Sequence, residues 1–222
     1  MQKTGAHRVR PPHPRDRRPQ GEARPVPPVP RSPAAFIETL SRQRGVGADR
    51  EFESFLALPE PDPTEVFIGM TTYDSLRANA RIQRNPKVVW DFLRFARTMD
   101  LKAYVYVRPV EGPPFDLARL AARPGEVLEV GVRRVTDPAG FDATRPPFIE
   151  LLSGQPGVGD SWELEVVKGK DTAGLTVGMT VYQDRQAADA AIGALREHPT
   201  TAAYFATFEP VALQYATSTT NH

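Results

Sequence analysis

The chain has 222 residues, 40% of them hydrophobic and 25% charged, with a net charge of +1 and no cysteine. That apolar content supplies a core for one large or two small domains. Disulfides, thiolate metal sites and a cysteine nucleophile are excluded, and no run of about 18 apolar residues offers a membrane span. The basic N-terminus continues into Pro and Arg rather than an apolar run, so no secretory signal is expected and a cytoplasmic protein is.

Residues 1–33 hold eight Lys and Arg against two acids, so this arm carries +6 and the rest of the chain −5. Nine of the 23 prolines fall here, as in RPPHPRDRRPQGEARPVPPVPR, with few large apolar residues. Such a segment buries too little surface to offset its ordering entropy and is expected to be disordered. It reads as a solvated tail, a start-site artefact or an arm for nucleic acid or an acidic surface. The acidic remainder argues against a nucleic-acid-binding domain.

A unit is expected over residues 34–110, with a helix at 33–44, strands at 50–58 and 65–73, a helix at 86–99 and a strand at 101–108. Where a leading strand would stand the chain reads RPVPPVPR, and proline does not sit inside a ladder. A linker is expected over 111–125. A second unit, 126–217, opens with the alternating strand EVLEVGVRRV, then a helix near Pro146–Ser153 with Gly154 at its end. Strands at WELEVVKG and AGLTVGMTVYQ follow, then a helical stretch over 185–208 broken at His198–Pro199, a strand VALQYA, and a tail at 218–222.

The two units repeat one another. FIETLSRQRGVG (36–47) matches FIELLSGQPGVG (148–159) at nine of twelve positions and an offset of 112. VFIGMTTYDS (66–75) then matches LTVGMTVYQD (175–184) at an offset of 109. NPKVVWDFLRF falls opposite HPTTAAYFATF. In the third strand, Val66, Ile68, Met70 and Thr72 alternate with Phe67, Gly69, Thr71 and Tyr73. The second copy sets Leu175, Val177, Met179 and Val181 against Thr176, Gly178, Thr180 and Tyr182. The more apolar set is expected under the helices and the mixed set where two sheets meet.

Strand–helix–strand–strand–helix–strand is the split-βαβ pattern. The fold class expected is α+β, two ferredoxin-like units packed sheet to sheet as an intramolecular dimeric α/β barrel. With QPGVGDSWELEV leading into the second strand and AADAA opening a later helix, residues 126–216 resemble the antibiotic biosynthesis monooxygenase family. Residues 36–108 resemble it through their match to the second copy. Such units usually pair as homodimers, so a fused pair would build that dimer in one chain, and a further homodimer is open. The chain departs from the family pattern at the third strand, which has Tyr and Thr where a Trp is frequent. Neither copy holds the Asn/Trp/His set of haem-degrading relatives.

The resemblance implies a cofactor-independent oxygenase taking a small aromatic or quinol substrate and dioxygen, with no membrane or nucleic-acid partner. The alternatives are a haem-binding or haem-degrading protein and a non-catalytic binding module. Candidate catalytic residues are His198, Tyr182, Tyr73 and Asn85; candidate binding residues are Trp90, Trp162, Met179 and Met70; no metal ligand is expected. Each has a plain structural explanation. Asn85 before Pro86 is an N-cap, and the strand residues Tyr73, Tyr182 and Trp162 suit packing. Trp90 falls off the apolar arc of its helix, which suits an interface anchor or a ring at a pocket mouth. His198 replaces Asn85 in the second copy; it is a poorer cap and a group titrating near neutral pH. The basic run Arg77, Arg81, Arg84, Lys87, Arg94 and Arg97 reads as a solvated helical face.

Overall fold

The computed structural model describes residues 34–58, 66–98 and 104–219, all within the unit Arg31–His222. The expected arm, the missing leading strand of the first copy and residues 220–222 lie outside the described residues. The elements in order are α1 (Ala34–Ser41), β1 (Val46–Leu58), β2 (Phe67–Tyr73), α2 (Leu76–Ile82), α3 (Pro86–Ala96) and β3 (Val105–Glu111). Then come β4 (Val127–Val135), α4 (Pro138–Ser153), β5 (Val158–Gly169), β6 (Leu175–Tyr182), α5 (Arg185–Leu195), α6 (Pro199–Phe205) and β7 (Phe208–Ser218).

All seven strands join one antiparallel sheet in the order β2-β1-β7-β4-β6-β5-β3. The fold is therefore α+β. β1 pairs with β7 and β3 with β5, so the strands of residues 46–111 and those of 127–218 join in one unbroken sheet. It curls until its outermost strands approach. Tyr73 of β2 and Tyr106 of β3 lie with ring centroids 6.2 Å apart, and Gln83 donates to the Tyr106 hydroxyl.

The inside of the curl is mostly apolar, with Arg50 of β1 over the Phe52 ring as a buried exception. Phe52, Leu128, Val130, Val132, Leu164 and Val177 are among its buried side chains. Each such burial contributes about 1.5–3 kcal/mol. The expected linker belongs to this core, because Leu117, Leu120 and Ala121 insert into it. Buried Arg50 holds that segment by donating to Ala118 O at 3.0 Å and to Ser218 Oγ at 2.6 Å.

The strand faces are the reverse of the sequence expectation. Leu175, Val177, Met179 and Val181 point into the curl, while Tyr182 packs with helix residues Leu152, Ala188, Ala191 and Leu195. The physical reason is that burying a polar group costs free energy unless it finds a partner, so the inside of the curl favours the apolar set. The helix side offers partners for a polar group. Helix α4 also begins earlier than expected. Asp137 caps it by accepting from Gly140 N, Pro138 takes the first turn, and Pro146 and Pro147 lie in its interior.

One glycine recurs for a steric reason. Gly45 and Gly157 hold equivalent turns with φ of +92° and +78°. A Cβ there would come within 2.8 Å of Ala78 Cβ and 2.5 Å of Ala187 Cβ, so the turn fits only a residue without one.

Candidate functional site

Where α4 and α6 cross the sheet, β4 and β6 oppose each other at Gly131 and Gly178. With no side chain on either strand, the sheet leaves a cavity of about 60 Å³ at that point. Its cover includes Phe148, Tyr204, Phe205 and Phe208, with Ile149, Leu152 and Leu213 beside them. Phe148 and Tyr204 stack at 4.3 Å and 14°. The lining is thus a set of aromatic faces beside a glycine pair on which the Arg133 guanidinium and a Leu213 methyl rest, a surface for a flat ligand with a polar edge. The volume is well below the 300 Å³ and more typical of drug-sized sites, so a ring system enters only when the cover moves.

Residues i, i+2 and i+4 of a strand share a face, which puts Glu129 and Arg133 on either side of Gly131. Both line the cavity. Arg133 donates to Glu163 at 2.6 Å and to Thr176 Oγ1 at 3.3 Å, and also to the Tyr204 hydroxyl. Arg145 of α4 donates to the same Glu163 oxygen at 3.0 Å and pairs with Glu111, while Thr176 donates to the other oxygen of Glu163. Glu163 is 7% exposed, so it keeps its place through these donors. The Arg133 guanidinium also lies 5.4–5.7 Å from the rings of Phe141, Tyr204 and Phe208. Its Nε has no hydrogen-bond partner, which leaves the cation one unspent donor.

At the other side Glu129 is half-buried between two tyrosines. Tyr182 donates to Glu129 Oε2, and Tyr215, directly opposite on β7, hydrogen-bonds to the same carboxyl. Burial pushes the Glu129 carboxyl up, against the opposing effect of the two hydroxyls and Arg133. Burial likewise raises Tyr182 and Tyr215, which stay protonated, and pushes Tyr204 up to about 12. The cavity therefore sets a carboxyl that takes a proton readily on one side and a fixed cation on the other.

Of the residues singled out from the sequence, three gather here. Trp162 and Met179 line the cavity, though both side chains belong to the core inside the curl, and Trp162 Nε1 donates to Pro113 O at 2.9 Å. Tyr182 reaches the site through Glu129. The others stand elsewhere. His198 is exposed and caps α6, its Nδ1 accepting from Thr200 N at 3.2 Å, as Asn85 Oδ1 accepts from Lys87 N at 3.0 Å on α3. Tyr73 packs with Leu40, Ile82 and Val88, and burial lifts its hydroxyl to about 12. Met70 packs against the inner core, and Trp90 stands 58% exposed on α3. No histidine lines the cavity. Among the described residues no cluster of three or more His, Asp or Glu is set to hold a metal ion, and no helix is long and apolar enough to cross a membrane.

Glu129, Arg133, Arg145 and Glu163 went unmarked in the sequence. Their signal is there: β4 sets Glu129, Gly131 and Arg133 on one face against Leu128, Val130, Val132 and Arg134 on the other, which places opposite charges in a helix-covered layer.

No protein-family model matches the chain, and none of the curated proteins does. Among solved structures, an anthrone oxidase-like protein aligns at TM-score 0.54 and 12% identity, over 85% of this chain and 86% of that one. A candidate monooxygenase from Fusobacterium nucleatum subsp. nucleatum aligns at TM-score 0.49 and 10% identity, over 83% and 81%. SnoaB, a cofactor-independent oxygenase from Streptomyces nogalater, aligns at TM-score 0.37 and 20% identity, over 44% of this chain and 96% of that one. At these identities the likeness is one of fold, carried by the first of the three.

Proposed function

We propose that the chain is a fused pair of ferredoxin-like units, 34–110 and 126–217, forming an intramolecular α/β barrel. Its C-terminal unit is a small-molecule oxygenase of the antibiotic biosynthesis monooxygenase type. The supports for the architecture are the sequence repeat and the crossed pairing, in which each repeat's last strand borders the other's second strand. The observation that carries the function is the cavity at Gly131 and Gly178, where aromatic side chains meet a proton-accepting carboxyl on one side and a cation on the other.

An aromatic ketone or quinol bound there loses a proton, and its oxygen anion is stabilised by Arg133 in a site from which water is excluded. The anion passes one electron to dioxygen, and the two radicals recombine as a hydroperoxide. With a ring methylene as the reacting carbon, one oxygen atom stays as the new carbonyl. The other leaves as water with both methylene hydrogens. No tightly bound cofactor is needed for this sequence. Resemblance in fold to an anthrone oxidase-like protein suits the same substrate class, because an anthrone is a flat, weakly acidic ring ketone.

The test is oxygen uptake with anthrone by the full chain. Uptake above the spontaneous rate is expected, and Gly178→Ala should lower kcat/KM by about 10- to 100-fold. A Cβ at that position would stand 2.7 Å from an Arg133 nitrogen and displace the cation. Anthrone that quenches tryptophan fluorescence without any oxygen uptake would identify a binding module instead of an oxygenase.

A further inference from the structure

The geometry points to Glu129 as the catalytic base of this site, the group that takes the proton from the substrate carbon. This rests on the reading of the cavity as an oxygenase site and adds to it the residue that starts the reaction.

Three observations carry the assignment. First, Glu129 is a carboxylate lining the cavity that is not committed to a cation at hydrogen-bond distance. Glu163, the other lining carboxylate, accepts from Arg133, Arg145 and Thr176 and has no capacity for a new proton without breaking that set. Second, Glu129 is held by donors rather than neutralised by them. Tyr182 and Tyr215 supply hydroxyls, and Arg133 acts on it through space. The remaining charge near the pair is Asp189 of α5, which acts on Tyr215. Burial raises the carboxyl, moving it towards the range in which a base both accepts and releases a proton near neutral pH.

Third, the N-terminal repeat provides an internal control. Tyr73 and Tyr106 occupy the positions of Tyr182 and Tyr215, at an offset of 109. Their rings are 6.2 Å apart, the same separation as between Tyr182 and Tyr215. Between Tyr182 and Tyr215 runs β4 with Glu129; among the described residues no strand lies between β2 and β3. The tyrosine pair is therefore a feature of the fold, and the carboxyl between its members belongs to the C-terminal repeat.

In the step itself the substrate C–H bond breaks and an O–H bond forms on Glu129. The electron pair stays on the substrate as an enolate, whose oxygen faces Arg133. No oxidant takes part, so the step is measurable without oxygen. The probe is anthrone in deuterium oxide under nitrogen, with exchange of its methylene hydrogens followed by proton NMR.

The full chain should accelerate exchange, with a rate that rises with pH through a limb above the ordinary carboxylate value of about 4.3. Glu129→Gln keeps an acceptor for Tyr182 and should retain anthrone binding, read by tryptophan quenching, while exchange falls by about 100-fold or more. Tyr182→Phe keeps the base but removes a donor to its anion, so it should move the pH limb of the remaining exchange to higher pH. If Glu129→Gln exchanges as fast as the parent, or if the parent consumes oxygen without accelerating exchange, Glu129 is not the base, although the oxygenase reading survives. If the parent neither exchanges nor consumes oxygen, both readings fail together.

Discussion

A carboxyl held between Tyr182 and Tyr215 costs stability when ionised, since desolvation is the largest influence on it. Its folded value lies above the unfolded one, so its contribution is fully present below the unfolded value and lost as pH rises through the folded one. Glu129→Gln removes that titration. The variant's melting temperature relative to the parent should therefore climb between about pH 4 and pH 8, as calorimetry at the two pH values would record. An equal difference at both would contradict a raised carboxyl. Part of this was legible in the sequence, since EVLEVGVRRV announces a strand with Glu129, Gly131 and Arg133 on one face. Which face the helices cover was not. Apolar content favours Leu175, Val177 and Met179 for the helix side, yet the inside of the curl takes them, because a polar side chain is buried there only where it finds partners, as Arg50 does. Ring-bearing and histidine residues therefore stand out in the sequence more than Glu129, Arg133 and Glu163, which line the cavity.

Among the helices, α3 and α6 show how one backbone device is met by two residue types. Asn85 caps the first through Oδ1 and His198 the second through Nδ1, each ahead of a proline in the first turn. His198 looked free for chemistry because histidine is an uncommon cap, but the repeat predicts the position's role better than residue preference does. Replacing His198 with Ala should cost about 1 kcal/mol, the usual worth of a cap. His198→Asn should be neutral or slightly stabilising. Urea denaturation of the full chain measures both, and a drop in anthrone turnover for His198→Asn at unchanged stability would return the residue to the chemistry. Because α6 supplies Tyr204 and Phe205 to the cover of the cavity, loss of its cap should also raise KM more than it lowers kcat.

At the scale of the molecule, neither repeat keeps its edges satisfied by itself. β7 is bordered by β1 of the other repeat and β5 by β3, and both borders are antiparallel ladders interrupted by bulges. By the repeat, β1 corresponds to β5 and β3 to β7. A C-terminal half alone exposes both edges, and an exposed ladder is a template for pairing. Two copies solve the problem with contacts the chain already uses, β7 of each on β5 of the other, related by a twofold axis. Residues 126–219 expressed alone should therefore sediment as a homodimer, with a melting temperature that rises with protein concentration. In that dimer both copies contribute a β4, so the sheet gains the eighth strand that the described residues of the full chain lack between β2 and β3. Each copy also brings its own Glu129, Arg133 and Glu163, giving two copies of the cavity. A half that stays folded as a monomer would mean that the borders add little to the fold, and the fused-dimer reading would fall with it.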